Sequence, residues 1–348
     1  MVGMYRHAQQ QHECRERLIL RAPSAKFITT RRTTSRQEYT QQMPSVYECR
    51  APARNRPSVS VVKRDEGRRA SSGACDMRIT IVGCGDAFGS GGRFNSATLV
   101  QAGAATCLLD CGATTMTAMN ARGVDPDSVD LIVLTHLHGD HFGGVPFLLL
   151  DAQWIRGRTR PLTIIGPPGT RQRLHVAIEA LFAGSSARTP WSFFWHVEEL
   201  EPGDTTASCG FVISSALVVH PCGAPATAIR LEAGGKVFVH SGDTEWTDTL
   251  PQIAAGADLL FLECFALEQT PTHLDYQTLA ERRGLFDAQQ VVLTHMGPTM
   301  LDNLHVIDDS LFDIAEDGRV FELWQDGAVQ EVVAEARHDR KPPRFAMK

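Results

Sequence analysis

The stretch THLHGDHFGG, residues 135–144, holds three histidines and an aspartate within six positions. A solvated loop has no need of so many ionisable groups, and a core does not tolerate them unpaired. The spacing H-x-H-x-D-H therefore calls for a partner that binds imidazole and carboxylate together. Residues two apart in an extended chain point to one side. His136 and His138 can thus reach a common cation from the end of the apolar run VDLIVLT (129–135). Gly139 is expected to allow a sharp turn that brings Asp140 and His141 into the same space. Imidazoles with a carboxylate suit Zn2+, with Mn2+ or Fe2+ as alternatives.

Six residues cannot encircle two ions, so further ligands must come from elsewhere. Three candidates sit just past apolar runs, where side chains leave a sheet edge. His220 closes ISSALVVH, Asp243 follows KVFVHSG, and His295 closes QVVLTH.

The surrounding pattern is rich in strands. RITIVG (78–83), SATLVQA (96–102), ATCLLDC (105–111), LTIIG (162–166), GFVISSALVVH (210–220), ATAIRLEA (226–233), KVFVHSG (236–242) and DLLFLEC (258–264) are short apolar runs bounded by turn residues. RVFELW and AVQEVV form a last pair. Helices are expected over TTMTAMNARG (114–123), from FGGVPFLLLDAQW, after Thr170 as N-cap, over HLDYQTLAERRG (273–284), and after His295. The helices interrupt strand runs instead of alternating with them, which predicts two sheets flanked by helices and not a doubly wound sheet. GCGDAFG (83–89) lacks the third glycine of a dinucleotide fingerprint in register, and a strand follows it. ARTPWSFFW (187–195) reads as core packing of a strand more than as a stacking surface.

Charge divides the chain. Residues 1–76 carry 15 Lys/Arg against 7 Asp/Glu, a net of +8; the remaining residues carry 19 against 33, a net of −14. The first 76 residues, with RRTTSRQEYTQQ and EGRRASSG, are too polar to offset chain entropy and read as a disordered basic extension. The preferred reading starts the functional protein at Met77. An organelle transit peptide, which would make it mitochondrial, and a nucleic-acid-binding tail are the alternatives. Residues 336–348 form a second basic tail. Nine cysteines without a C-x-x-C pair favour a reducing compartment, the cytoplasm, over a disulfide framework. No apolar run reaches the roughly 18 residues of a membrane span.

Taken in order, GCGDAFGSGGRFNSATLV, LLDCG, THLHGDHFGG, IIGPPGT, the lone His220, SGDT and LTHM make the chain resemble the metallo-β-lactamase superfamily, in its tRNase Z-like phosphodiesterase branch, over residues 77–335. The resemblance implies an α/β fold, an αββα sandwich of two mixed β-sheets flanked by helices, with a site for two divalent ions. It implies that His136, His138 and His220 bind one ion, that Asp140, His141 and His295 bind the other, and that Asp243 bridges them. Asp110, in LLDCG, would be a buried structural carboxylate. The branch also has a His–Glu pair near this site. Here the matching residues are His273, as donor of a proton to the leaving group, and Glu263, in the altered setting Leu-Glu-Cys-Phe. Asp140 would also take the proton of the attacking water.

The implied activity is metal-dependent hydrolysis of a small or cyclic phosphodiester. True tRNase Z enzymes carry a long Gly/Pro-rich arm, and only 22 residues separate His220 from Asp243 here. The acidic charge from Met77 onward also opposes loose binding of a polyanion. Nucleic acid is therefore disfavoured as a partner, no membrane is expected, and a homodimer is open. The alternatives are tRNA 3′ processing, lactone or thioester hydrolysis, oxidoreduction at iron, and a non-hydrolytic metabolite-binding relative.

Overall fold

A computed structural model describes residues 75–185 and 190–332. Residues 1–74, most of the basic extension, and the tail 336–348 lie outside the described residues, as do the first positions of ARTPWSFFW. One sheet contains β1 (Met77–Gly83), β2 (Ala97–Ala102), β3 (Ala105–Leu109), β4 (Leu131–Val133), β5 (Leu162–Gly166), β6 (Trp195–Glu199), β14 (Val320–Leu323) and β15 (Val329–Val332). Its strand order is β15-β14-β1-β2-β3-β4-β5-β6. The other contains β7 (Thr205–Ser208), β8 (Phe211–Val218), β9 (Ala226–Ala233), β10 (Lys236–His240), β11 (Ala257–Glu263), β12 (Ala288–Thr294) and β13 (Asp313–Ile314), in the order β13-β12-β11-β10-β9-β8-β7.

Three apolar layers hold this together. Ile79, Ile81, Leu109 and Val133 of the first sheet meet Leu231, Phe238, Phe261 and Val292 of the second. The first sheet turns Val82, Leu99 and Ile132 outward onto Leu148, Leu149, Leu174 and Ile178 of its helices. The second turns Leu260, Leu262 and Leu293 onto Leu250, Leu279 and Met300. Sheets covered on both faces explain why β4 and β11 are nearly continuous apolar runs. The expected αββα sandwich is the observed fold.

Direction then fixes where the polar residues emerge. β3 to β6 run parallel, as do β10, β11 and β12. Their C-terminal ends therefore deliver Asp110, His136, Asp243, Glu263 and His295 to one edge of the sandwich.

Several local expectations change. The β4 ladder is shorter than 129–135, because the Thr135 amide donates to the Asp110 side chain at 2.8 Å and not to a neighbouring strand. Gly139 does not make a left-handed turn. It opens a short helix, Gly139–Phe142, and a Cβ there would meet nothing within 4 Å. The close approach lies instead at Gly112, where a Cβ would stand 2.1 Å from the Asp140 carbonyl oxygen. Thr170 is the first residue of its helix, Thr170–Leu181; Gly169, at φ 95°, holds the cap position. The helix expected from residue 273 spans Tyr276–Arg282, because the Asp275 side chain caps it through the Thr278 amide at 2.8 Å. The helix after His295 is the single turn Pro298–Leu301. Of the 187–195 aromatics, Phe193 is buried and Phe194 is exposed, and only Trp195 enters a strand. Among the described residues, no helix is long and apolar enough to cross a membrane.

Candidate metal centre

Seven side chains converge where the two sheets share an edge. The ligand atoms of His136, His138 and His220 lie within 4.8 Å of one another, and so do those of Asp140, His141, Asp243 and His295. Asp243 lies between the groups. Its Oδ2 is 3.8 Å from His136 Nε2, 3.9 Å from His220 Nε2 and 3.4 Å from His295 Nε2, and its Oδ1 is 3.2 Å from His141 Nε2. Asp140 Oδ2 stands 3.1 Å from His295 Nε2 and 3.4 Å from His141 Nε2.

The hydrogen bonds around the cluster select imidazole tautomers. His141 Nδ1 is 2.7 Å from Asp110 Oδ2, so this nitrogen donates and Nε2 turns its lone pair inward. His220 Nδ1 donates to the Thr272 carbonyl at 2.7 Å, with the same result. Asp110 accepts from the Thr135 hydroxyl, leaving that oxygen to accept from His136 Nδ1 at 3.1 Å. His136 Nε2, fully buried, then has no hydrogen-bond partner. His138 presents Nδ1, 3.0 Å from His220 Nε2. Lone pairs converging at such distances are repulsive unless a cation lies between them. The donor set therefore fits divalent metal, and oriented imidazoles backed by carboxylate or carbonyl are what such sites require.

The proton affinities follow from burial and crowding. For His136, burial first and then His141 push the imidazole well below its usual range. Burial also opposes charge on His141, but Asp243, Asp110 and Asp140 outweigh it and the net shift is upward. For Asp243 and Asp140 burial disfavours the carboxylate, yet the facing histidines hold both below the ordinary carboxylate range.

The second pair sits beside this cluster. His273 Nδ1 is 2.8 Å from Glu263 Oε2, and Glu263 is fully buried. Burial and then Asp243 push Glu263 well above its usual range, while burial lowers His273. The Thr244 amide donates to the other Glu263 oxygen. A ring nitrogen of His273 also lies within 4.8 Å of donor atoms of His220 and Asp243. Its ring stacks on Phe265 at 4.6 Å. His273 does not cap its helix, since Asp275 does.

Every residue expected at the site is thus brought to it. His175, His196, His240 and His305 stay outside the cluster. Residue-by-residue reading missed the supports. Thr135 fixes His136. Thr272, at φ 70°, aims its carbonyl at His220, while Glu245 accepts the Thr272 amide at 2.8 Å. Asp110 and His295 also adopt positive φ, 58° and 56°. Non-glycine residues held there mark local strain of the kind that clusters at functional sites. No sequence signal distinguishes Thr272, whereas Thr135 adjoins the histidine motif.

A metallo-β-lactamase sandwich carrying this donor set defines a class, the metal-dependent hydrolases of the ribonuclease Z-like phosphodiesterase type, and comparison with known proteins agrees. A ribonuclease Z of Mycobacterium bovis is 33% identical over 195 residues, covering 53% of this chain and 69% of the relative. Human tRNase Z, short form, superposes with a TM-score of 0.57 at 25% identity, covering 70% of this chain and 98% of that one. The metallo-β-lactamase fold protein YhfI from Bacillus subtilis gives a TM-score of 0.57 at 24% identity, covering 71% and 99%. The profile of the family described as Anti-Pycsar protein Apyc1 matches residues 77–321, and the chain belongs to that family.

Proposed function

We propose that the protein is a dinuclear phosphodiesterase that hydrolyses a small, cyclic phosphodiester, a cyclic nucleotide above all. The observation that carries the substrate class lies between His220 and Asp243. That segment is filled by the β9–β10 hairpin, turned at Gly234–Gly235, with no projecting arm to grip a folded RNA. The net charge of −14 from residue 77 onward supports the same reading.

His136, His138 and His220 would hold one ion and Asp140, His141 and His295 the other, with Asp243 shared. Two bound divalent ions, Zn2+ by the donor chemistry, supply a nucleophile at neutral pH and neutralise charge developing on the phosphoryl group. Asp140 accepts the proton of the attacking water. Glu263 holds the His273 ring in position, and His273 delivers a proton to the departing alkoxide. Asp110 and Thr272 keep His141 and His220 in the required tautomers. The hydrolase unit spans residues 77–335 and works in the cytoplasm, with the basic extension dispensable for turnover.

The test is to purify residues 77–348 alongside the full chain and quantify bound metal. Both are then assayed with bis(p-nitrophenyl) phosphate, cyclic nucleotides, a precursor tRNA and a lactone. Cyclic nucleotides should be the best substrates, and Asp140→Ala should abolish diester turnover. Turnover of the lactone alone would sink the phosphodiesterase reading. The second reading is tRNA 3′ processing, favoured by the 33% identity to a ribonuclease Z. Efficient cleavage of the precursor tRNA would put it first.

A further inference from the structure

Phe88 is 91% exposed, more than any other large apolar residue among those described. It sits on the loop that joins β1 to β2, and the root of that loop is tied to the metal centre. The His295 amide donates to the Cys84 carbonyl at 3.0 Å, and Gly85 forms a bridge with Met296.

The loop is braced throughout. Asp86, itself 1% exposed, accepts from the Ser90 amide at 2.8 Å, the Ser90 hydroxyl at 2.7 Å and the Phe88 amide at 3.3 Å. Asn95 donates to the Asp86 carbonyl at 2.8 Å. Asp317 accepts the Cys84 and Phe94 amides, each at 2.9 Å. Gly89, Gly91 and Gly92 take positive φ, which only glycine adopts freely. A fixed loop that ends in a ring facing water gains nothing for the fold. Two other exposed rings have partners: Phe147 packs edge-on against Phe182, and Phe194 stacks on His196; Trp154, also exposed, has none, but it does not sit on this loop. Among the described residues, Phe88 has neither a ring partner nor a cation over it.

We propose that Phe88 is the platform on which the nucleobase of the substrate stacks while its phosphodiester occupies the metal centre. This rests on the cyclic-nucleotide reading above and makes Phe88 a specificity-determining residue. Every base offers a π-face, so the platform favours nucleotides over base-free diesters without choosing strongly among bases.

The metal-loaded protein, its Phe88→Ala variant and its Phe88→Trp variant are assayed with a 3′,5′-cyclic nucleotide and with a base-free cyclic ribose phosphate. Loss of a stacking partner should raise KM for the nucleotide about tenfold with kcat little changed. The base-free diester should be unaffected, and Phe88→Trp should restore the nucleotide KM. Equal effects on both substrates, or none on either, would overturn the proposal. A wild-type protein inactive on cyclic nucleotides counts against the functional reading instead. The platform is then decided by calorimetric binding of a nucleoside 5′-monophosphate against ribose 5-phosphate. Nucleotide that binds no tighter than ribose phosphate, or that loses nothing in Phe88→Ala, overturns it independently of turnover.

Discussion

Asp110 and His141 are bound to each other at 2.7 Å, and Asp110 reaches that position with a left-handed backbone at φ 58°. The same carboxylate accepts the Thr135 amide and hydroxyl, and Thr135 in turn contacts His136. One buried acid thus orients a histidine from each of the two donor groups. Asn at this position keeps the shape and tolerates positive φ. It also turns an NH2 group toward partners that are themselves donors. Asp110→Asn should therefore fold and bind metal about 10–100-fold more weakly. Competition with a fluorescent chelator measures this, and unchanged affinity would show that the imidazoles orient themselves without it.

His273 and Glu263 form a hydrogen-bonded pair beside the proposed metal ligands. His273→Ala should retain bound metal and lose about 10²–10⁴-fold in kcat on a diester with an alkoxide leaving group. With p-nitrophenolate, which departs without a proton, the loss should shrink toward unity. An equal loss with both leaving groups would assign His273 to the metal or to binding instead. Its proximity to His220 and Asp243 makes that comparison informative.

Metal removal should lower thermal stability as well as activity. Seven buried or half-buried side chains are held together at the centre, three of them carrying converging lone pairs. A ligand that binds only the folded state stabilises it by about 2.7 kcal/mol at one hundred times its dissociation constant. Calorimetry with and without chelator should show a fall in Tm that Zn2+ restores. No change in Tm despite confirmed metal loss would mean that the cluster is already satisfied without an ion.

His240 gives the fold a pH dependence from outside the proposed ligand set, although Asp110, His141, Asp243 and His295 also act on it. It is buried, accepts the Gly242 amide through Nδ1 at 2.9 Å, and burial pulls its pKa from 6.5 down to about 4. The unfolded chain therefore takes up this proton near pH 6.5, and the folded chain only near 4. Stability from this residue is present above pH 6.5 and falls as pH drops toward 4. The full shift corresponds to about 3 kcal/mol. His240→Asn retains an acceptor for Gly242 and does not titrate. Its stability relative to wild type, from urea titrations at pH 7 and pH 4.5, should improve on acidification. Parallel curves for the two proteins would refute the assignment.

The parts of the site that were legible in the sequence are those that a metal forces into a pattern. Residues at alternate positions after a buried strand, and single histidines or aspartates at strand ends, carry their geometry with them. Parallel strand direction then brings them to one edge. What was hidden depends on contacts distant in sequence or on backbone conformation. The link from Thr272 to His220 spans 52 positions and uses a carbonyl, which has no side-chain identity to read. Gly139 looked like the turn, but the constraint fell on Gly112, whose missing Cβ admits the Asp140 carbonyl. Helix starts differ from the sequence pattern by up to three residues where Asp275 and Gly169 hold the cap positions.

The β7–β8 hairpin contains a residue that works against its own turn. Ser208 and Phe211 are paired, and the two residues between them, Cys209 and Gly210, have φ of 49° and 82°. Positive φ at both central positions is the mirror-image turn that suits the twist of a hairpin, and Asn-Gly is its favoured sequence. A left-handed conformation costs an ordinary L-residue about 1–2 kcal/mol, from which Asn is partly relieved by local hydrogen bonding. Cys209 is exposed, and its thiol has only long contacts, 3.7 Å to Ser208 Oγ and 3.9 Å to the Asp130 carbonyl. Cys209→Asn should therefore stabilise the protein by about 0.5–1 kcal/mol. Cys209→Ala, which keeps the Cβ and removes the same contacts, should not. Chemical denaturation of the three proteins under reducing conditions separates the two effects. If Asn and Ala behave alike, the backbone at this turn is not strained.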